Sequence, residues 1–251
     1  MGHLYINNSY SDEKISKMIS CKSVCKTIKN FISLAELNAL RQAIDLVDYS
    51  EVGETSKYDG HDYNDSKVGA FIKSIFNSKL KKEIGDYRLD FFAWQEAIIP
   101  WKIHSDLRWY SDRIPYKVIL VPLDVVSDQE SWKDTYTFCF KQRNYLRNNP
   151  NTNEGKLGNN DQSEWIRSID DPNVEDCIEG FGISKNIHKK YLSHMPYEFL
   201  EGLEIDNIFK WVPGDAVIWD QSTLHCADNF IKNNIKTKLS LLFMTSHNGT
   251  V

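Results

Sequence analysis

From Phe91 onward the sequence abandons helical periodicity and supplies short runs of β-branched and aromatic residues. These are Phe91–Ala97, Ile98–His104, Tyr116–Leu123 and Thr135–Phe140, then Ile208–Val212, Ala216–Asp220, His225–Ala227 and Thr237–Thr245. Short strands of this kind bury their apolar faces by rolling up on one another, which predicts a jelly roll or barrel. Upstream the pattern is helical. Ser33 and Glu36 form a capping box, and Leu34, Leu37, Leu40, Ile44 and Val47 recur at helical spacing. A second amphipathic helix is predicted over 67–84, with Val68, Phe71, Ile72, Ile75, Phe76 and Leu80 on its apolar side. Val24–Phe31 reads as a short strand, residues 1–20 as a marginally helical lead-in, and the Gly-, Ser-, Asp- and Tyr-rich stretch 48–66 as loop. An Asn-rich and then acidic stretch, about 141–195, interrupts the strands as a long insertion. The expected architecture is α+β, with one domain spanning 1–251.

With 251 residues, 41% of them hydrophobic, the chain can build a sizeable core. A net charge of -5 supplies no basic surface for nucleic acid. The opening "MGHLYINNSYSDEK" has no apolar signal region, and no run approaches the ~18–20 apolar residues of a membrane span. Cys21, Cys25, Cys139, Cys177 and Cys226 are odd in number and scattered, which argues against a disulfide framework or a zinc site. A reduced, cytoplasmic setting is expected.

The stretch "WKIHSDLRWY", 101–110, places His104 and Asp106 two apart. On a strand both face one side, with Ser105 facing away. An imidazole and a carboxylate so placed suit two corners of a ferrous site, which a third ligand would complete as a 2-His-1-carboxylate face. Such a pair also arises by chance in a chain with seven histidines and 35 acidic residues. His225, in "WVPGDAVIWDQSTLHCADNF", lies about 120 residues further on, where a rolled sheet could return it to the pair. Taken alone, a histidine beside apolar residues is more often a satisfied core or surface residue. In "NNIKTKLSLLFMTS", Lys236, Lys238 and Ser240 share one strand face, and Leu239, Leu241 and Phe243 the other. An inward lysine needs an anionic partner, which a bound dicarboxylate would supply; otherwise these lysines lie on a solvated face.

In their order and type, His104-x-Asp106, Pro213-Gly214-Asp215 leading to His225, and Lys238-x-Ser240 resemble the signature of the Fe(II)/2-oxoglutarate-dependent dioxygenases. The "LHCADN…KTKLSLLF" stretch is most similar to the phytanoyl-CoA hydroxylase-like branch, and the resemblance covers about 87–246. It implies a double-stranded β-helix (jelly-roll, cupin-like) core with N-terminal flanking helices. Its cofactors would be Fe(II), held by His104, Asp106 and His225, and 2-oxoglutarate as co-substrate. The distal carboxylate of 2-oxoglutarate would pair with a basic residue on the last strand, helped by a hydroxyl. Many members carry Arg there; a lysine offers a point charge without the bidentate fork. Lys238 with Ser240 mirrors an Arg-x-Ser pattern, and Lys236 is the second candidate because its distance from His225 fits some members.

The implied reaction uses O2 to hydroxylate a C–H bond of a small-molecule substrate, releasing succinate and CO2. Halogenating relatives lack the carboxylate, so Asp106 favours hydroxylation or desaturation. Arg108, Trp109, Tyr110 and Arg113 would either rim the cavity or form an ordinary charged surface loop, and Gln95, Trp101 and Lys102 are candidates to hydrogen-bond the co-substrate. Trp132, Tyr136 and Trp165 border the insertion as parts of a lid. Trp219 is expected in the core, His188 and His194 are expected to be structural, and Cys226 should face away from the metal. Two other readings use the same residues: a cupin-like metal enzyme without 2-oxoglutarate, and a non-catalytic β-helix binding module.

Overall fold

The computed structural model describes residues 12–44, 51–52, 56–62, 67–107, 113–127, 134–144, 183–200 and 202–247. Helix α1 (Asp12–Ser20) and strand β1 (Lys26–Ile28) lead into α2 (Leu34–Ile44). The expected capping box forms: Ser33 N donates to Glu36 Oε2 at 2.7 Å, and Glu36 N donates to Ser33 Oγ at 3.2 Å. Strands β2 (Glu51–Val52) and β3 (Ser56–Asp62) precede α3 (Lys67–Ile84). Gly85, at φ 74°, ends that helix, its N–H returning to Lys81 O. Then follow β4 (Arg88–Ala97), β5 (Pro115–Val126), β6 (Tyr136–Arg143), β7 (Ile205–Lys210), β8 (Ala216–Asp220), β9 (Thr223–Ala227) and β10 (Thr237–Ser246).

Among the described residues all strand pairs are antiparallel. Seven strands form one sheet in the order β1-β8-β5-β10-β4-β3-β2, and β7-β6-β9 form a second. Alternation along each strand divides the core into layers. On the outer face of the large sheet, Trp94, Ile119, Val121, Leu241 and Phe243 pack against Leu40 of α2 and Ile72, Phe76 and Leu80 of α3. On its inner face, Val118, Leu120, Trp219, Leu242 and Met244 meet Cys139 and Phe209 of the small sheet, with Trp211 just beyond β7. The back of the small sheet, including Phe138, Phe140, Leu224 and Cys226, is covered by Leu192, Met195 and Leu200. Each fully buried side chain of this size stabilises the fold by about 1.5–3 kcal/mol.

Several expectations need correction. Part of the 48–66 stretch forms β2 and β3, because β3 takes its order from the edge of β4, pairing Ser56 with Ala97 through Asp62 with Phe91. Backbone pairing of this kind needs no apolar alternation, so "SKYDGHD" gave no signal. Ile98–His104 is not a strand; after β4 only an isolated bridge joins His104 to His225. Pro100, without an N–H, cannot extend the ladder. The first strand is confined to Lys26–Ile28, β6 continues to Arg143 into the expected insertion, and β7 begins at Ile205. Within that insertion, Lys185–Ile187 is helical and runs on as a π-helical turn, His188–Leu192. Trp132, Trp165 and Cys177 lie outside the described residues.

Candidate metal centre

His225 sits in the middle of β9, and its backbone holds the other histidine in place. His104 N donates to His225 O at 3.0 Å, and His225 N donates to His104 O at 2.9 Å. His104 is therefore positioned by this bridge and not by a strand of its own. Ser105 turns away as expected, its Oγ accepting from Asn144 Nδ2 at 3.1 Å. The two imidazole centroids are 4.2 Å apart, with Trp101 packed on His104 and Trp219 on His225.

The hydrogen bonds set the chemistry of both rings. His104 Nδ1 lies 2.7 Å from Lys102 O, and His225 Nδ1 lies 3.0 Å from Thr223 O. A carbonyl only accepts, so each Nδ1 carries a proton, which leaves each Nε2 as the nitrogen turned away from the backbone. Burial, with the neighbouring imidazole adding to it, pulls the His104 pKa down to about 4 against the opposing pull of Asp106. The ring is therefore neutral at pH 7. Both Nε2 atoms face Asp106, at 4.0 Å from Oδ1 for His104 and 3.3 Å from Oδ2 for His225. One ligand atom from each of the three residues lies within 4.8 Å of the other two. Two imidazoles and one carboxylate make a donor set that fits a divalent cation of the iron type. Trp219 Nε1 donates to Asp106 Oδ2 at 3.0 Å and orients the carboxylate. The sequence reading gave Trp219 a core role only; its indole packs in the core and its N–H reaches the site.

Lys238 and Ser240 point to the inner face of β10, both 1% exposed. Lys238 Nζ lies 3.3 Å from Tyr136 O, 3.8 Å from Asp228 Oδ1 and 3.9 Å from the centroid of the Trp211 ring. Burial drives its pKa down to about 8 although Asp228 pulls the other way. Burial raises that of Asp228 despite Lys238 and the Thr135 hydroxyl, which donates to it at 2.6 Å. Both shifts have one cause: at 3.8 Å the attraction does not cover the desolvation of two charges. Lys236 precedes β10 and is exposed. The sequence reading missed Trp211 and Asp228 as neighbours of Lys238; three residues after His225, an aspartate carries no recognisable spacing.

Other expected residues fall elsewhere. Pro213-Gly214-Asp215 is structural: Gly214, at φ 91°, turns the chain into β8, and Asp215 accepts from Lys29 Nζ at 2.7 Å and Asn30 N at 2.9 Å. Arg113 is paired with Asp90 at 2.6 Å. Cys226 faces the outer cluster, away from the histidines. Tyr136 packs edge-on against Tyr191 of the insertion. His188 is held by Met195 O at 2.9 Å. Arg108, Trp109 and Tyr110 lie outside the described residues.

No family model matches the sequence, and no curated protein matches it. Solved structures do resemble the fold. The non-heme alpha ketoglutarate dependent epimerase SnoN from nogalamycin biosynthesis superposes with a TM-score of 0.53 at 13% identity, over 95% of this chain and 85% of that one. An oxidoreductase of the 2OG-Fe(II) oxygenase family from Burkholderia pseudomallei gives 0.51 at 9% identity, over 96% and 94%. HygX from Streptomyces hygroscopicus, with nickel and 2-oxoglutarate bound, gives 0.50 at 13% identity, over 96% and 88%. The fold is thus the α+β double-stranded β-helix of these proteins. Among the described residues no helix is long and apolar enough to cross a membrane.

Proposed function

We propose that the chain is a non-haem Fe(II)- and 2-oxoglutarate-dependent oxygenase that hydroxylates a C–H bond of a small molecule. The observation that carries the reading is the convergence of His104, Asp106 and His225, each imidazole fixed with its Nε2 toward the carboxylate. In this reading the three residues hold the iron, and Trp219 keeps Asp106 turned toward it. Lys238 takes the distal carboxylate of 2-oxoglutarate inside the barrel, with Ser240 beside it on the same face. Bound iron would supply the activation of O2 coupled to decarboxylation of the co-substrate to succinate. The residues' own part is to leave one side of the metal open to ligands and to keep bulk water away through the packed walls of Trp101, Trp219 and Trp211. HygX, which binds 2-oxoglutarate, and SnoN, an alpha ketoglutarate dependent epimerase, support the choice of co-substrate. Placement in the phytanoyl-CoA hydroxylase-like branch rests on the "LHCADN…KTKLSLLF" stretch alone.

Titrating Mn(II) into the wild type and into His225→Ala tests the metal site directly. Loss of one imidazole should weaken binding at least ~100-fold, and equal affinity removes His225 from the centre. With Fe(II), the wild type should convert 2-oxoglutarate to succinate and CO2. A metal-loaded protein that never does so across a broad panel of small molecules is a binding module instead.

A further inference from the structure

The proposed chemistry leaves Gln95 without a role, although its residue type suits a hydrogen bond to the co-substrate. The register of β4 against β10 fixes where it stands. Lys238 lies opposite Ala97, Ser240 opposite Gln95, Leu242 opposite Ala93 and Met244 opposite Phe91. Directly opposite residues of an antiparallel pair project from the same face, with Cβ atoms about 4.5–5.5 Å apart, and diagonal neighbours follow at about 7–8 Å. Leu242, Met244 and Phe91 belong to the inner cluster that meets the small sheet. Gln95 therefore points into the barrel, beside Ser240 and diagonal to Lys238.

The neighbours of Gln95 offer it nothing to bond. In the inward series Phe91, Ala93, Gln95 and Ala97 it is the one polar side chain, and the small alanines leave room on either side of it. The other flank of Ser240 is Pro122, whose ring carries no hydrogen-bonding group. Glu96, which faces outward, is paired with Lys57 at 2.9 Å. The Gln95 amide, by contrast, has no hydrogen-bond partner among the described residues, and neither has Ser240 Oγ. Gln95 is only half-buried although it looks inward, so the space in front of it is open. An inward amide without a partner costs desolvation that a ligand can recover. Lys238 also has donors to spare, with one N–H on a carbonyl at 3.3 Å and Asp228 at 3.8 Å. An ammonium, a hydroxyl and an amide NH2 on two adjacent strands thus share one face. Such a donor set suits a carboxylate, whose two oxygens only accept.

We propose that Gln95 is a further donor to the anion that Lys238 and Ser240 hold, its side-chain amide hydrogen-bonding the distal carboxylate of 2-oxoglutarate. The co-substrate is then gripped from β4 and β10 together. The inference rests on the oxygenase reading above and adds to it a binding residue from the neighbouring strand.

Anaerobic titration of the Mn(II)-loaded protein tests it with two probes: 2-oxoglutarate, and 2-oxobutanoate, which chelates a metal in the same way but has no distal carboxylate. Gln95→Ala and Gln95→Leu should each weaken 2-oxoglutarate about tenfold, the loss of one hydrogen bond to a charged group. Gln95→Glu sets a like charge against the distal carboxylate and should weaken it at least ~100-fold. All three should leave 2-oxobutanoate and Mn(II) affinity unchanged. Gln95→Leu, which keeps most of the side-chain volume, carries the test where Gln95→Ala does not fold. Wild-type affinity for 2-oxoglutarate in either Gln95→Leu or Gln95→Glu overturns the inference, and so does an equal loss for both probes. If Lys238→Met weakens 2-oxoglutarate while the Gln95 variants do not, only this inference fails. If Lys238→Met also binds normally, the Lys238 anchor of the oxygenase reading fails with it.

Discussion

Lys117 on β5 and Lys238 on β10 are buried on strands of the same sheet, 5% and 1% exposed, and their surroundings differ in kind. Lys117 lies directly opposite Asp220 in the β5–β8 register and forms a close ion pair with it. Its ammonium also donates to Ser23 Oγ at 2.6 Å. Asp220 in turn accepts from Ser23 N at 2.9 Å, and the Arg143 guanidinium stands 3.6 Å away. Arg143 itself is held by the carbonyls of Phe140, Lys141 and Ser23. The charges of this cluster have close partners on several sides, as a structural network requires. Lys238 has an aromatic face, one long carbonyl bond and a distant carboxylate. The comparison separates a lysine that closes the fold from one with capacity for another anion.

The sharpest way to break the comparison is to replace each ammonium with a thioether of similar length. Lys238→Met should weaken 2-oxoglutarate binding at least ~100-fold, because a buried carboxylate would lose its charged partner. Chemical denaturation should show a stability change below ~1 kcal/mol, since the lost pair is long and the apolar stem stays on Trp211. Lys117→Met should do the reverse. It strands Asp220 beside one remaining cation and should cost about 3 kcal/mol in the same unfolding experiment. The 2-oxoglutarate affinity of any folded Lys117→Met protein should stay within about twofold of wild type. Matching losses from the two substitutions would erase the distinction.

The smallest effect is in the pH dependence. With burial holding the free Lys238 pKa at about 8, the ammonium begins to lose its proton just above neutrality. An incoming carboxylate favours the charged form, so binding above pH 8 takes up a proton. Affinity should then fall by up to tenfold for each pH unit, read by calorimetry in buffers of different ionisation enthalpy. On folding the sign is opposite. The folded pKa lies below the ordinary value of 10.5, so between about pH 8 and 10.5 the unfolded chain binds the extra proton. This group's contribution to stability therefore rises with pH across that window and is lost as pH falls through 8. A flat binding profile from pH 7 to 9 would remove Lys238 from contact with the anion.

Much of this arrangement was legible in the chain. Local periodicity located α2, α3 and most strands, because apolar spacing records which face of an element is buried. His104, Asp106, His225 and Lys238 stood out because ligand atoms and inward cations are chemically distinctive residue types. Strand β3 and the irregular path of 98–107 could not be read the same way. Their order comes from backbone partners on β4 and β9 that lie far away in sequence.

By itself, then, the sequence determined where side chains of a metal-ligating or cationic type stand and which segments carry a buried face. Only the tertiary structure decided that His104 is held by the backbone of His225, that Trp219 steadies Asp106, and that Lys238 is the buried lysine while Lys236 is exposed. The reason is physical: side-chain type and periodicity are local properties of the chain. Tautomer, desolvation and unfilled hydrogen-bonding capacity are set by neighbours that only the folded chain brings together.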